Sequence, residues 1–444
     1  MIKLYQELYL RPRLFIGAGF VILVAMLGYF FPILTPLATI SLCVLLGLLA
    51  LDVMVLFRSE HLFFARRMLG DRFSNGDNNK VQLFLENRYT FPTSLEVIDE
   101  VPFQFQLRDL LFEVKMEGRS EKTLEYLLRP TQRGEYFFGG LNIFVGSPFG
   151  IVSRRFVFET ECKVVVYPSF MQMRQYEVMA ISNRLQEVGI KKIRRLGQAS
   201  EFQQIKEYIV GDDFRTVNWK SSARQSRLMV NLYTDEKAQQ IYCLIDKSRV
   251  MKMPFEGMTL LDYAINASLV LSNIALLKKD KAGILPFADK IQSVLAADGK
   301  SVQMQKIMEL LYHQTTTFPE ADYERLFVFT KNKITQRSLL VLFTNFESLT
   351  SMRRQLPYLR RLAQNHLLMV VFFENTEIKS LLTTEPQTTE EVYIKTIAEN
   401  FNFEKKQIVR ELEQNGMVAM LTSPQSLTVN TLNKYLELKS RGRI

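Results

Sequence analysis

From Leu14 to Leu51 the chain carries no charged residue, which constrains its folding more than any other feature. A bilayer core of about 30 Å is crossed by about 20 helical residues, so this run is too long for one span. Pro32 and Pro36 divide it, predicting spans near 14–31 and 36–57 joined by a very short turn. Such a hairpin puts both outer ends on the same side. Arg11 and Arg13 precede the first span, while Arg58, Arg66 and Arg67 follow the second. By the positive-inside rule these cations belong in the cytoplasm. A cleaved signal peptide would show a short apolar core and a small-residue cleavage site, whereas here the apolar region runs on into a second span. Asp52, inside the second span, is expected near the headgroups or paired with a neighbouring Arg. Residues 1–58 are therefore expected to anchor the chain in the inner (cytoplasmic) membrane, with its soluble domains in the cytoplasm.

The whole length of 444 residues allows two to four domains. Lys and Arg number 56 against 46 Asp and Glu, a net charge of +10 that suits nucleic acid, anionic lipid or acidic partners. Membrane attachment accounts for part of that excess, so nucleic acid is not an expected partner. Cys43, Cys162 and Cys243 are scattered, as are His61, His313 and His366. That spacing offers no disulfide framework, no zinc site and no Ser-His-Asp triad.

Residues 59–168 change to short alternating runs, among them VQLFLENRY, TSLEVIDEVP, GEYFFGGLNIFVG and CKVVVYP. About seven strands at this spacing predict a small antiparallel β-sandwich, with Gly134 and the pair Gly139 and Gly140 relieving backbone strain. Its aromatic residues read as core and edge packing rather than as a base-stacking surface. Residues 169–238 read as a helical linker followed by a charged motif. The helix spans 170–200 with Met173, Tyr176 and Met179 on one face, and Lys191, Lys192, Arg194 and Arg195 form a basic cluster. In the motif, Gly211, Asp212 and Asp213 make a turn, and Arg215, Lys220 and Arg224 are close enough to pair with its carboxylates. Trp219, the only tryptophan, is expected under a guanidinium. The segment reads as an ion-paired turn at a domain seam rather than a catalytic pair.

From residue 239 to 444, strand runs (QIYCLID, AGILPFA, SLLVLFTNF, LLMVVFFEN, MVAMLTSP) alternate with amphipathic helices, including TLLDYAINASLVLSNIALLKK. Alternation of this kind predicts an α/β doubly wound parallel sheet, with ligands at the carboxyl ends of its strands. Asp246 and Ser248 fall at one such end, and Thr344, Asn345 and Glu347 at another. The ADGKS run ending at Ser301 is a turn and not a phosphate loop, because Val294 stands where the first glycine is needed.

The motif GDDFRTVNWKSSAR resembles the signature of the bacterial "domain of unknown function 58" family. The matching positions are Gly211, Asp212, Arg215, Asn218, Trp219, Ser222, Ala223 and Arg224, with Asp213 inside the turn. An RG-x-[YF] element at Arg133–Tyr136, an SPFG run at Ser147–Gly150 and LKSRG at Leu438–Gly442 extend the likeness over nearly the whole chain. The resemblance implies a C-terminal von Willebrand factor A-like domain. That fold holds Mg²⁺ through an Asp-x-Ser-x-Ser loop, a Thr from a second loop and an Asp from a third. Here Asp246 and Ser248 keep the first positions, Val250 replaces the second Ser, and Asn345 stands for the third-loop Asp. Thr315, Thr316 and Thr317 are all candidates for the Thr. Six hard oxygens are wanted by Mg²⁺, so this degenerate site is expected to hold it weakly or not at all. Lys247 and Arg249 would then meet an acidic partner directly. The family further implies a MoxR-type AAA+ ATPase partner, alongside membrane lipid and other envelope proteins. The expected function is a non-enzymatic, membrane-anchored adaptor; a cation-dependent hydrolase and a basic membrane-surface module are the competing readings.

Overall fold

A computed structural model of the chain describes residues 6–58, 62–107, 110–158, 161–181, 200–209, 212, 214–235, 238–376, 378, 386 and 388–444. These gather into two compact units, Met1–Tyr167 and Pro168–Ile444.

In the first unit, helices α1 (Pro12–Phe30) and α2 (Thr35–Leu56) are joined by the single 3-10 turn Pro32–Leu34. Each begins with a proline in its first turn, where the missing N–H costs no helical hydrogen bond. Both are long and apolar enough to cross a membrane, with mean hydropathies of 2.0 and 2.5, and their side chains mostly face outward. The rest of the unit is three sheets around one core that includes Leu83, Val97, Ile143 and Val164. The largest sheet runs Leu8–Leu10, Val152–Phe158, Leu141–Gly146, Thr93–Asp99, Leu111–Met116 in spatial order. Strict burial alternation along Asn79–Asn87 follows the period-2 pattern of its sequence.

Two features depart from the sequence reading. Leu8–Leu10, ahead of the first apolar helix and too short to show a period, pairs antiparallel with Val152–Arg154. The run GEYFFGGLNIFVG is two strands in different sheets, Gly134–Phe138 and Leu141–Gly146. The glycines between them make room rather than relieve strain: a Cβ on Gly139 would lie 2.8 Å from the Glu100 Cβ. The Glu100 carboxylate then accepts from the Gly140 amide at 3.0 Å.

The helix pair is clasped to these sheets by its polar residues. Asp52 is buried and accepts from the Ser147 hydroxyl, from the Ile151 amide at 3.2 Å and from the Phe149 amide at 3.4 Å. It therefore holds the SPFG turn, and neither headgroups nor an arginine take that role. Arg11 donates to Ser94 Oγ at 2.7 Å and to Glu96 at 3.0 Å, and Arg13 donates to the Phe149 carbonyl. Arg154 donates to the carbonyl of Leu56, the last residue of α2. Arg67, read from sequence as a flanking cation, is fully buried on the Asp99 carboxylate, which also accepts from the Tyr126 hydroxyl.

The second unit opens with α3 (Phe170–Ile181), whose Met173 and Tyr176 join the core around α5 (Leu260–Leu277). An antiparallel hairpin of Ser200–Glu207 and Met229–Asp235 follows, with α4 (Trp219–Gln225) between its strands. The main sheet comprises β1 (Gln240–Asp246), β2 (Lys281–Phe287), β3 (Leu295–Asp298), β4 (Leu339–Phe343), β5 (Leu367–Phe373) and β6 (Val418–Thr422). Its helices after α5 are α6 (Gln303–Tyr312), α7 (Tyr323–Lys333), α8 (Leu349–Asn365), α9 (Thr389–Gln414) and α10 (Leu427–Ser440). The spatial order is β3-β2-β1-β4-β5-β6, parallel throughout except for β3 against β2. Alternate residues of β1 feed two cores: Ile241, Cys243 and Ile245 meet α5 and α10, while Tyr242 and Leu244 meet α8 and α9. Helix α5, expected to be amphipathic, is buried almost all round, which explains why it is apolar enough to span a membrane while serving as core.

Candidate functional site

A sheet ordered 3-2-1-4-5-6 changes its direction of growth between β1 and β4, leaving a crevice outside their carboxyl ends. Asp246 ends β1 and Thr344 follows β4, so this crevice is where they meet. Asp246 is fully buried. One oxygen accepts from the Ser248 amide at 2.8 Å, and the other from Thr344 Oγ1 at 2.7 Å and the Tyr323 hydroxyl at 3.3 Å. Burial pushes the Asp246 carboxyl above its usual range, with hydrogen bonds from Ser248 and Thr344 pulling the other way. Burial and the neighbouring Asp246 raise the Tyr323 phenol in turn.

The hydroxyl that reaches Asp246 is thus that of Thr344. Thr316 spends its hydroxyl on the Lys247 carbonyl at 2.8 Å and on the Phe318 amide, and Thr315 and Thr317 are exposed. Lys247 turns into the fold, buried with its ammonium 3.4 Å from the Thr315 carbonyl, so it offers no partner-facing charge. Arg249 is exposed and lies 3.7 Å from Glu347. Asn345 accepts from the Phe346 amide at 3.0 Å and from the Lys405 ammonium at 2.9 Å. The oxygen assigned from sequence to a metal therefore carries a lysine.

These residues do not fit Mg²⁺, which requires an octahedron of hard oxygens. Both oxygens of the one carboxylate already accept hydrogen bonds, Asn345 holds an ammonium, and Val250 brings no ligand atom. Among the described residues no cluster of three His, Cys, Asp or Glu is suited to a metal ion.

Beside this crevice a cleft of about 540 Å³ opens outside β4, β5 and β6. Its apolar wall includes Met253, Phe255, Phe373 and Phe401, and its polar groups include Asn345, Glu347, Glu374, Lys405 and Lys406. Phe255 is set in place by a two-residue hairpin turn at Glu256 and Gly257, with φ of 48° and 82°. Positive φ at both positions is the requirement of a type I′ turn. Lys405 donates to Asn345 and to the Phe346 carbonyl, and its ammonium lies 5.8 Å from the centroid of the Phe372 ring. Burial lowers its pKa to about 8. Sequence reading overlooked Lys405 because it overlooked α9. The signal was there: Thr388 and Glu391 form a capping box that opens this 26-residue helix.

The signature segment is built differently from expectation. Gly211 and Asp213, the side chain of Arg215, and the basic cluster at Lys191, Lys192, Arg194 and Arg195 lie outside the described residues. Asp212 accepts from Lys206 at 2.9 Å and from the Ile209 amide at 3.0 Å, and the lysine holds its carboxyl below the usual range. Its cation is thus Lys206, and Lys220 and Arg224 are exposed. Asn218 caps α4 by accepting from the Ser221 amide, and its side chain also donates to Asn231. Ser222 donates to the Asn218 carbonyl and accepts from the Met229 amide, tying α4 to the hairpin, while Ala223 is exposed. Trp219 is 63% exposed and meets the edge of Phe214, itself 59% exposed, at 5.7 Å. It is a surface aromatic, and among the described residues no guanidinium covers it.

Residues 204–411, from the hairpin into α9, match the family model described as "Protein of unknown function DUF58". Over that region the chain is similar to the DUF58 family. The matched region includes the signature, Asp246, Asn345 and Lys405. The uncharacterized protein YeaD of Bacillus subtilis (strain 168) is 27% identical over 214 residues, 45% of this chain and 50% of that one. The chain thus spans half the length of the curated relative it matches. Among solved structures, the conserved hypothetical protein BatB from Bacteroides thetaiotaomicron covers 46% of this chain and 100% of its own at 9% identity and a TM-score of 0.31. The SpRpn10 VWA domain covers 43% and 92% at 13% identity and a TM-score of 0.28. Likenesses at these TM-scores carry no argument, and the strand order above stands on its own hydrogen-bonded pairs.

Proposed function

We propose that this DUF58 protein is a non-enzymatic adaptor, anchored by α1 and α2, whose von Willebrand factor A-like α/β domain binds a protein partner. The supporting observation is the cleft at the carboxyl ends of β4 to β6, apolar-walled and carrying Lys405 and Lys406, in a chain that also bears two membrane-length helices. Ligand sites in doubly wound sheets occupy that position. Arg58 and Arg66, still exposed beside α2, favour a cytoplasmic face for the first unit, which we read as a β-sandwich. The family resemblance supplies the partner class, a MoxR-type AAA+ ATPase acting on envelope or membrane clients. No resident metal is invoked, since Asn345 binds Lys405. The hydrolase reading needs a free Asp212, and that carboxylate is spent on Lys206 and its own turn.

The test is affinity purification of the full chain from native membranes in mild detergent, with Mg²⁺ and a slowly hydrolysed ATP analogue, read by mass spectrometry. An AAA+ ATPase recovered by the full chain, and lost when the chain is ended after Tyr167, is the expected result. Equal recovery by both forms, or no ATPase at all, would contradict the adaptor reading.

A further inference from the structure

Lys405 is a largely buried cation whose two hydrogen-bond acceptors among the described residues, Asn345 Oδ1 and the Phe346 carbonyl, are neutral. An ammonium has three donors, so among the described residues one is left for a ligand. Glu347 and Glu404 act on Lys405 only as distant charges, and Glu347 already lies against Arg249. Lys406, exposed on the same helix, adds a second positive charge to the cleft. The rest of the wall is apolar at Met253, Phe255, Phe373 and Phe401 and carries two carboxylates, Glu374 and the Arg249-paired Glu347, so that the two lysines still leave one positive charge over. Such a site complements one negative charge set among apolar groups.

The geometry points to a binding site for a short apolar peptide segment of a partner protein that carries one acidic side chain, its carboxylate on Lys405 and its apolar side chains against Phe255, Phe373 and Phe401. A cleft of about 540 Å³ has the size of a ligand pocket and accommodates a few side chains rather than a folded domain. The lysine thereby supplies the positive charge that a bound cation would otherwise bring to this end of the sheet. This assignment rests on the adaptor reading and specifies the chemistry of its contact.

The experiment pans a phage library of random hexapeptides against the full chain in detergent, then measures affinities of the selected peptides as synthetic probes. Enrichment of Asp or Glu beside Leu, Phe or Ile is expected, with loss of affinity of about tenfold or more when that acid is replaced by its amide. Lys405→Met is expected to lose the same factor, Lys405→Arg to retain much of the binding, and Phe401→Glu, at a half-exposed position, to abolish it. Selection of peptides without acids, or equal binding to Lys405→Met, would overturn the assignment. So would binding of decanoate at this cleft with no peptide selected, which would give the site to a free acyl carboxylate. The two readings fail separately. Acidic peptides on Lys405 with no partner recovered from membranes would remove the adaptor and keep the site. A partner recovered equally by wild type and Lys405→Met, with no peptide selected, would do the reverse.

Discussion

Asp52 and Asp246 are both buried aspartates that accept from hydroxyls and backbone amides, yet they belong to regions of different kinds. Asp52 joins an apolar helix to a turn 95 residues further on, and every partner it has is structural. Arg11, Arg13 and Arg154 extend the same clasp, so the first unit uses its polar groups to fix the pair of apolar helices. Asp246 instead stands at the floor of a crevice, holding Ser248 and Thr344 in place beside an open cleft. One region is polar where it must be rigid, and the other where it can be met from outside. The difference teaches that a buried carboxylate marks function only when its surroundings open to solvent.

The comparison breaks most readily at the clasp. Arg67→Met would strand Asp99 beside Tyr126 in the core, and a loss of about 3–5 kcal/mol is expected in the unfolding of the first unit. Asp52→Ala leaves two amides and a hydroxyl without their acceptor, at about 2–4 kcal/mol, read as faster proteolysis within the first unit in detergent. Neither change should alter peptide binding at the cleft beyond the fraction unfolded. In the second unit, Ser222→Ala removes the tie between α4 and the hairpin and should cost about 1–2 kcal/mol by thermal melting. Trp219→Ala should cost less than about 1 kcal/mol, because the ring is largely in solvent and loses only its edge contact with Phe214. A large loss at Trp219 would place it in the core instead.

The two membrane-length helices were legible because a bilayer span demands an apolar length that appears in one continuous stretch. The parallel sheet was legible for a similar reason: QIYCLID and LLMVVFFEN are buried on both faces and read as unbroken apolar runs. Partners far apart in sequence were not legible. Nothing near Asp52 announces Ser147, and nothing near Asn345 announces a lysine 60 residues later. Trp219 was expected under a guanidinium because its neighbours in sequence are basic, but what packs over a ring depends on side-chain directions that sequence does not give. The family signature proved half architectural, in Asn218 and Ser222, and half exposed, in Trp219 and Ala223.

The central claim is that the cleft recognises an acidic segment through Lys405, with no bridging metal. The most direct measurement is the affinity of a selected acidic peptide for the full chain in Mg²⁺ and in EDTA, for wild type and Lys405→Met. Equal affinity in both buffers, with a loss of about tenfold or more in the variant, is predicted. Affinity that collapses in EDTA and survives Lys405→Met would contradict the account and place a metal where the lysine is held to act.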